Sequence, residues 1–417
     1  MILTIMKSSG GFLSAKRNQI NKINYYAEKI NKYNQLDPEK ALVHVNKLIA
    51  YRQKLQGEKH LSTTVQQWFI ENDVDHVKKR IELSIRVREL SATTKLGSIY
   101  EQYNGKDSFR ALIEEKLLEA DEQLTVHALE SGNNPIVKVV SGEQCFIIRF
   151  LRMNKNEESS NKSPRVIREL YSDMIPQIPH PYFLEKVEDD GHEITYMEYS
   201  EFYPEGNLQT LFEQLRDQKE KEIITDEEFN KTLLLYAKKL ATFFTLINEQ
   251  HIWYTDLKPS NILLNEHDII ISDIKGLIQS HQTIVASNKT NTSQFYYQST
   301  VYNDNNIHLE LLQCQTLATT LYELACGRLP KQKISDKGTW KNIYDFAQPV
   351  FSEEHGAFLE ELIKRLNIRL PTTMTHILAQ IDDHLLSYEE EHHELLIDDS
   401  DIIELPTPRK PRGYSKL

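Results

Sequence analysis

Three cysteines in 417 residues, Cys145, Cys314 and Cys326, are too few for a disulfide framework. Their scarcity points to a reducing cytosol as the working compartment. Long apolar runs are missing too, and no segment approaches the roughly 18 residues that a membrane span needs, so no transmembrane segment is expected. Met1 to Met6 is mostly apolar, but it has no basic region before it and is too short for a signal-peptide core; Sec export is not expected. No internal repeat is visible. No His/Cys set has the spacing of a metal centre, and His392-His393 lies within an acidic run. What is present is an ordinary globular composition, 40% hydrophobic and 26% charged, in a chain long enough for two or three domains.

The formal net charge of -12 is unevenly spread, because residues 1–60 hold eleven Lys/Arg against four Asp/Glu. The basic stretch reads either as a solvated helix face or as a contact for a polyanion, such as an anionic lipid or an inositol polyphosphate. Nucleic acid is not expected as a partner.

Hydrophobic periodicity divides the chain. Ile20, Ile23, Ala27 and Ile30 recur at helical spacing, and Ala41, Val45, Leu48 and Leu55 line a second stripe. Asp37-Pro38-Glu39 is a helix start, with Asp as cap and Pro at the first helical position. Residues 1–123 are therefore expected to be a helical N-terminal domain of four or five helices. From Leu124 the period changes. Ile136 to Val140 and Cys145 to Leu151 are β-rich and joined by the turn Ser141-Gly142-Glu143-Gln144. Ser163-Pro164 opens a helix, and Ile194 to Tyr199 reads as a further strand. Thr225 and Glu228 form a capping box before a long helix whose buried face carries Phe229, Leu233, Tyr236, Leu240, Phe243 and Ile247. A strand-rich part followed by a helix-rich one predicts an α+β fold in two lobes, residues 124–200 and 201–387. Residues 388–417 are acidic and then Pro-containing, and are expected to be a solvated tail.

Chemistry concentrates in Asp256-Leu257-Lys258-Pro259-Ser260-Asn261. Phosphoryl transfer needs phosphates held, charge neutralised by metal, and a carboxylate that orients the attacking hydroxyl. A loop bearing Asp, Lys two residues on and Asn five residues on supplies these from one segment. Two apolar strands follow, Ile262-Leu263-Leu264 and Ile269-Ile270-Ile271, and their hairpin would bring Asp273 close to Asn261.

The string from Tyr254 through Ile262-Leu263-Leu264 resembles the catalytic loop of eukaryotic-type Ser/Thr protein kinases. The resemblance spans roughly 260 residues, dense in the second lobe and thin in the first. It implies a two-lobe kinase-like fold, ATP as phosphoryl donor, and Mg²⁺ or Mn²⁺ as cofactor. Asp256 would orient the substrate hydroxyl and Lys258 would steady the transferred phosphate. Asn261 and Asp273 would hold the metal. Met197 would be the gatekeeper, and the backbone of Glu198 and Tyr199 would face adenine. Gly206-Asn207-Leu208 resembles the turn beyond the hinge.

The departures are specific. Arg149 takes the position of the strand lysine, with Lys138 as the alternative and Glu169 as the candidate helix partner. The glycine-rich loop is reduced to a single glycine, Gly132. Asp273-Ile274-Lys275 replaces Asp-Phe-Gly, with Gly276 directly after. Thr255 stands where many kinases carry Arg, which implies activity without activation-loop phosphorylation. Tyr296 to Thr300 lies near the missing Ala-Pro-Glu, and Gln313 takes the place of an Asp.

The sequence is read as an active Ser/Thr protein kinase. Its rivals are a pseudokinase scaffold and a kinase-fold enzyme acting on a small molecule or lipid. The run Glu389-Glu390-Glu391-His392-His393-Glu394 resembles the translocation signal of type IV secreted effectors such as those of Legionella. That implies passage from a bacterial cytoplasm to a host cell and a host protein substrate.

Overall fold

The structure is a computed structural model. It describes residues 3–391 apart from 7–13, 35, 58–61, 130–134, 156–162, 173, 267, 288, 289, 291 and 369–371. Gly132 and the acidic C-terminal segment from His392 lie outside the described residues. Among those described, no helix is long and apolar enough to cross a membrane.

Five helices come first: α1 (Ser14–Tyr33), α2 (Pro38–Gln56), α3 (Thr63–Glu71), α4 (Val74–Thr94) and α5 (Lys106–Ala120). The Asp37 side chain accepts from the Lys40 amide at 3.1 Å, and Pro38 is the first helical residue of α2. Ile20, Ile23, Ala27 and Ile30 meet Ala41, Val45, Leu48 and Leu55 in one buried cluster. The basic residues of this region lie largely on the outer face, where Lys22 sits 4.4 Å from the Tyr51 ring centroid and Lys29 covers Tyr25. Helix α4 serves two cores. Val74, Val77 and Ile81 belong to the α1–α3 cluster, whereas Leu83, Val87 and Leu90 belong to a cluster shared with the sheet that follows.

That sheet has five antiparallel strands: β1 (Thr125–Leu129), β2 (Ile136–Ser141), β3 (Gln144–Asn154), β4 (Phe183–Asp189) and β5 (Glu193–Glu201), in the order β1-β2-β3-β5-β4. Strand alternation gives it two faces. Val137, Val139, Phe146, Ile148, Phe150, Met197 and Tyr199 point outward and bury against α4 and α5. Arg149 and Leu151 point inward, toward the second lobe, where Leu151 joins its main core. Helix α6 (Pro164–Tyr171) connects β3 to β4; Ser163 caps it by accepting from the Val166 amide at 3.2 Å.

The second lobe is helical: α7 (Leu208–Glu220), α8 (Asp226–Glu249), α9 (Leu309–Cys326), α10 (Glu354–Leu366) and α11 (Met374–Glu391). The capping box at Thr225 and Glu228 is formed in both directions. Almost every residue of α9 is buried, so it runs through the lobe's interior. Short strand pairs sit at the lobe boundary: β6 (Ile252–Tyr254) with β9 (Leu277–Gln279), and β7 (Ile262–Asn265) with β8 (Asp268–Ile271).

Gly206 ends the connection between lobes with a φ of 80°, a conformation that suits glycine. Its carbonyl accepts from the Leu264 amide at 3.0 Å, and Asn207 bridges to Leu263. The inter-lobe segment is thereby fastened to β7, directly after the Asp256–Asn261 loop.

Candidate active site

Strand β6 ends at Tyr254, and the chain then loops through Asp256 to Asn261 in buried, hydrogen-bonded backbone. The Asn261 amide nitrogen donates to the Asp256 carbonyl at 2.9 Å and to its carboxylate at 2.8 Å. Lys258 Nζ reaches the same carboxylate oxygen at 3.2 Å. Two of the side chains predicted to work with Asp256, Lys258 and Asn261, thus converge on its Oδ2. Burial pushes the Asp256 carboxyl above its ordinary value; Lys258 opposes this and Asp273 adds to it.

The β7–β8 hairpin returns the chain to this loop. The Ser272 amide and hydroxyl both donate to the Asn261 carbonyl at 3.0 Å, which leaves Asp273 beside Asn261. Asp273 Oδ1 accepts from the Lys275 amide at 3.0 Å, starting the short turn Ile274–Gly276. Gly276 is required here by close approach. A Cβ at that position would lie 2.9 Å from the Asp256 nitrogen and from Tyr254. The Gly276 carbonyl accepts from the Thr255 amide at 2.9 Å and from its hydroxyl at 3.1 Å. Thr255 is fully buried, and its own carbonyl accepts from the Thr292 hydroxyl.

The donor set suits a divalent cation held jointly with phosphates. With the Asn261 amide nitrogen committed to Asp256, its amide oxygen and the Asp273 carboxylate are the hard oxygen donors of this corner. Two protein oxygens are what Mg²⁺ commonly takes when substrate phosphates and water complete its shell. No group of three or more His, Cys, Asp or Glu able to hold a metal occurs among the described residues.

On the first lobe, Arg149 faces the cleft. Its Nη1 donates to the Ser272 carbonyl at 2.9 Å, so β3 is tied to the residue just before Asp273. The rest of the guanidinium closes on Glu198, with Nε at 2.9 Å and Nη2 at 2.7 Å from Oε1. Arg168 of α6 donates to the other carboxylate oxygen at 2.6 Å, and the Ser200 hydroxyl to Oε1 at 2.6 Å. Burial raises the Glu198 carboxyl, but the two guanidiniums more than offset it and hold it down to about 2.

Four expectations change. Glu169 does not meet Arg149; it pairs with Arg165 one turn away on the exposed side of α6. The helix contributes a cation, Arg168, and the carboxylate comes from β5. Met197 is fully buried against Val137, Phe146 and Ile148 on the sheet's outer face, so it cannot serve as gatekeeper. The backbone of Glu198 and Tyr199 is not free for adenine either, because β5 lies between β3 and β4 at these residues and its ladder with β3 runs on to Glu201. The free connection starts at Phe202. Finally, Lys138, the alternative to Arg149, does face inward, opposite Ile147, while Val137 faces outward. Lys138 lies over the Phe202 ring, 3.9 Å from its centroid, rather than beside Asp273.

The inward positions Ile136, Lys138 and Ile147 are half-buried, as is Leu263 on β7. Of these, Lys138 stands over the Phe202 ring, where the connection between the lobes begins. Sequence reading missed Glu198, Arg168 and Ser272 as side-chain partners. One signal was available: Tyr196, Glu198 and Ser200 alternate with the apolar Met197 and Tyr199, so Glu198 shares a face with its cross-strand neighbour Arg149. In the lower lobe, Gln313 is buried, and its amide has no partner among the described residues. Gln315 instead bonds the Gln298 amide at 2.8 Å and Thr300 at 3.1 Å, anchoring the segment near Tyr296.

No protein-family model matches the chain, and no curated protein matches it. Among solved structures, the chain is similar to the L. pneumophila effector kinase LegK7, solved in complex with human MOB1A. The TM-score is 0.50 at 14% sequence identity, over 90% of this chain and 83% of that one. A helical region, a small antiparallel sheet and a helical lobe together make a kinase-like α+β fold.

Proposed function

We propose that this chain is a protein kinase that transfers the γ-phosphoryl group of ATP to Ser/Thr hydroxyls of a protein. The observation that carries the reading is the convergence of Lys258 and Asn261 on the Asp256 carboxylate, with Asp273 delivered alongside by Ser272. A scaffold has no need of this arrangement. Asp256, with its affinity for protons raised by burial, accepts the hydrogen bond of the substrate hydroxyl and then its proton. Lys258 balances charge on the transferred group. Asn261 and Asp273 are the residues that would hold Mg²⁺ or Mn²⁺, which supplies charge neutralisation at the phosphates. Arg149, braced by Glu198, would offer its charge to the phosphates, and the half-buried Ile147 and Leu263 are the apolar residues that would pack on adenine.

The substrate is proposed to be a host protein and the chain an effector delivered by type IV secretion. The glutamate-rich run at Glu389–Glu394 supports this, as does the likeness to an effector kinase solved with a human protein.

The test is transfer of labelled phosphate from ATP with Mg²⁺ or Mn²⁺ to a generic protein substrate, comparing wild type with Asp256→Ala and Asp273→Ala. Label on protein that disappears in both variants is the expected result. Equal incorporation by all three sinks the catalytic reading, and label only in small molecules moves the substrate class.

A further inference from the structure

A second cavity of about 470 Å³ lies away from the catalytic cleft, between α4, α6 and the start of β4. Its lining carries three guanidiniums, Arg80 and Arg88 from α4 and Arg168 from α6, beside the imidazole of His180, which burial and the adjacent Arg168 and Arg80 hold uncharged by pushing its pKa down to about 4. Among the described residues Glu169 is its one acidic lining residue, and that carboxylate is paired with Arg165. Arg80 is held by Glu201 at 3.1 Å and by the His180 carbonyl at 3.0 Å, so it is fixed in place. Arg168 is 2% exposed, and its Nε is buried without a hydrogen-bond partner among the described residues. A buried guanidinium N–H left unpaired keeps its desolvation cost without a compensating bond, the more so because the group is charged. An anion in the cavity relieves that cost.

We propose that this cavity binds a small free polyanion bearing phosphoryl groups, and that binding strengthens ATP capture through Arg168. Several arginines around a pocket of this volume suit an anion with more than one phosphoryl group, since guanidinium pairs with phosphate through paired hydrogen bonds. A small molecule fits better than a protein segment, because the deepest donor is an almost wholly buried side chain. One of the two sequence readings put polyanion binding on the basic helices of residues 1–60. Among the described residues this cavity takes no cationic side chain from them; Asn34 and Leu36 are what they contribute.

The route to the cleft is short. Arg168 Nη1 holds Glu198 Oε2, and Glu198 Oε1 holds Arg149, which bonds the Ser272 carbonyl. An anion spanning α4 and α6 immobilises Arg168, and with it the carboxylate that orients Arg149. Coupling between the sites is reciprocal, so the anion lowers the KM for ATP where that KM reports binding. This second half rests on the kinase reading, whereas the binding half does not.

Inorganic pyrophosphate is the probe, added to the full chain at constant low ionic strength. Thermal melts should rise for wild type and equally for Asp273→Ala, whose cleft is impaired. Arg88→Gln should lose most of the rise, with at least a tenfold weaker apparent Kd, and Arg88→Lys should recover part of it. No rise in wild type overturns the site. A rise kept in Arg88→Gln but lost in Asp273→Ala means that pyrophosphate sits in the cleft, and also overturns it. The KM for ATP should fall severalfold with pyrophosphate in wild type but not in Arg88→Gln. A cavity-dependent melt shift with unchanged KM overturns the coupling alone. The same shift in a protein without any transfer activity removes the kinase reading and leaves the site standing.

Discussion

Arg149 and Glu198 are direct cross-strand partners on β3 and β5, and the guanidinium of the first closes on the carboxylate of the second at 2.7 Å. The partner of the cation proposed to face the phosphates is thus built into the sheet, while the helix supplies a second cation, Arg168. One buried carboxylate between the buried Arg168 and the half-buried Arg149 is a costly arrangement to break. Glu198→Ala is expected to destabilise the fold by about 3–5 kcal/mol, the usual cost of stranding buried charges. Arg149→Lys keeps the charge but loses the fork that reaches Glu198 and the Ser272 carbonyl together. Its KM for ATP should rise about tenfold, or ~1.4 kcal/mol, with a smaller stability loss. Chemical denaturation and ATP-dependence of the rate measure the two; an Arg149→Lys enzyme with unchanged KM speaks against a phosphate role.

The same carboxylate gives a pH signature. Its folded value, about 2, lies below the ordinary 4.5. A depressed acid contributes stability that is fully present above pH 4.5 and is lost as pH falls from there toward 2. The linked contribution is about 3 kcal/mol. Denaturation midpoints across this window should show that component in wild type and lack it in Glu198→Gln; parallel curves for the two proteins contradict the assignment.

Asp256 shifts in the opposite direction. Burial raises its carboxyl above 3.8, so the base form is lost on acidification earlier than for an exposed Asp. The acidic limb of the kcat/KM profile should therefore lie above the ordinary Asp range. A limb at or below that range would remove Asp256 as the titrating base.

Gly276→Ala should act on the catalytic loop rather than on the core. The added Cβ meets the Asp256 backbone at 2.9 Å, and backbone cannot swing aside as a long side chain does. Activity should fall about 100-fold, the scale of a misplacement near 1 Å, with a melting temperature within a few degrees of wild type. Retained activity would show that the 274–276 turn can retreat from the loop.

Thr255 is fully buried and bonded to the Gly276 carbonyl. It leaves no guanidinium before Asp256 to meet a phosphorylated activation segment. Phosphatase-treated protein should transfer phosphate at the rate of untreated protein; loss of activity on treatment refutes this.

The second lobe was legible because its signals are local. A capping box, an apolar stripe at helical spacing and a six-residue loop each fix their own geometry, and Thr225, Phe229 and Asp256 sit as their neighbours in sequence require. The first lobe was harder because it depends on which face of the sheet is covered. Met197 looks like a cleft residue only if the outer face is solvated, as in a sheet with one helical side. Here α4 and α5 cover that face, so the most apolar residues turn outward to them and the cleft face keeps Lys138, Arg149 and Glu198. That reversal comes from contacts between residues about 50 to 100 positions apart, such as Ser84 with the Tyr182 carbonyl, and no short window contains them.

Helix α4 joins two cores end to end, the first through Val74, Val77 and Ile81 and the second through Leu83, Val87 and Leu90. The kinase-like part consequently has no detachable form. A protein begun at residue 124 would present Val137, Phe146, Ile148, Phe150, Met197 and Tyr199 to water as one contiguous apolar face, which invites aggregation. Recombination faces the same restriction: α4 and α5 cannot be exchanged between proteins as a unit unless the outer face of the sheet changes with them.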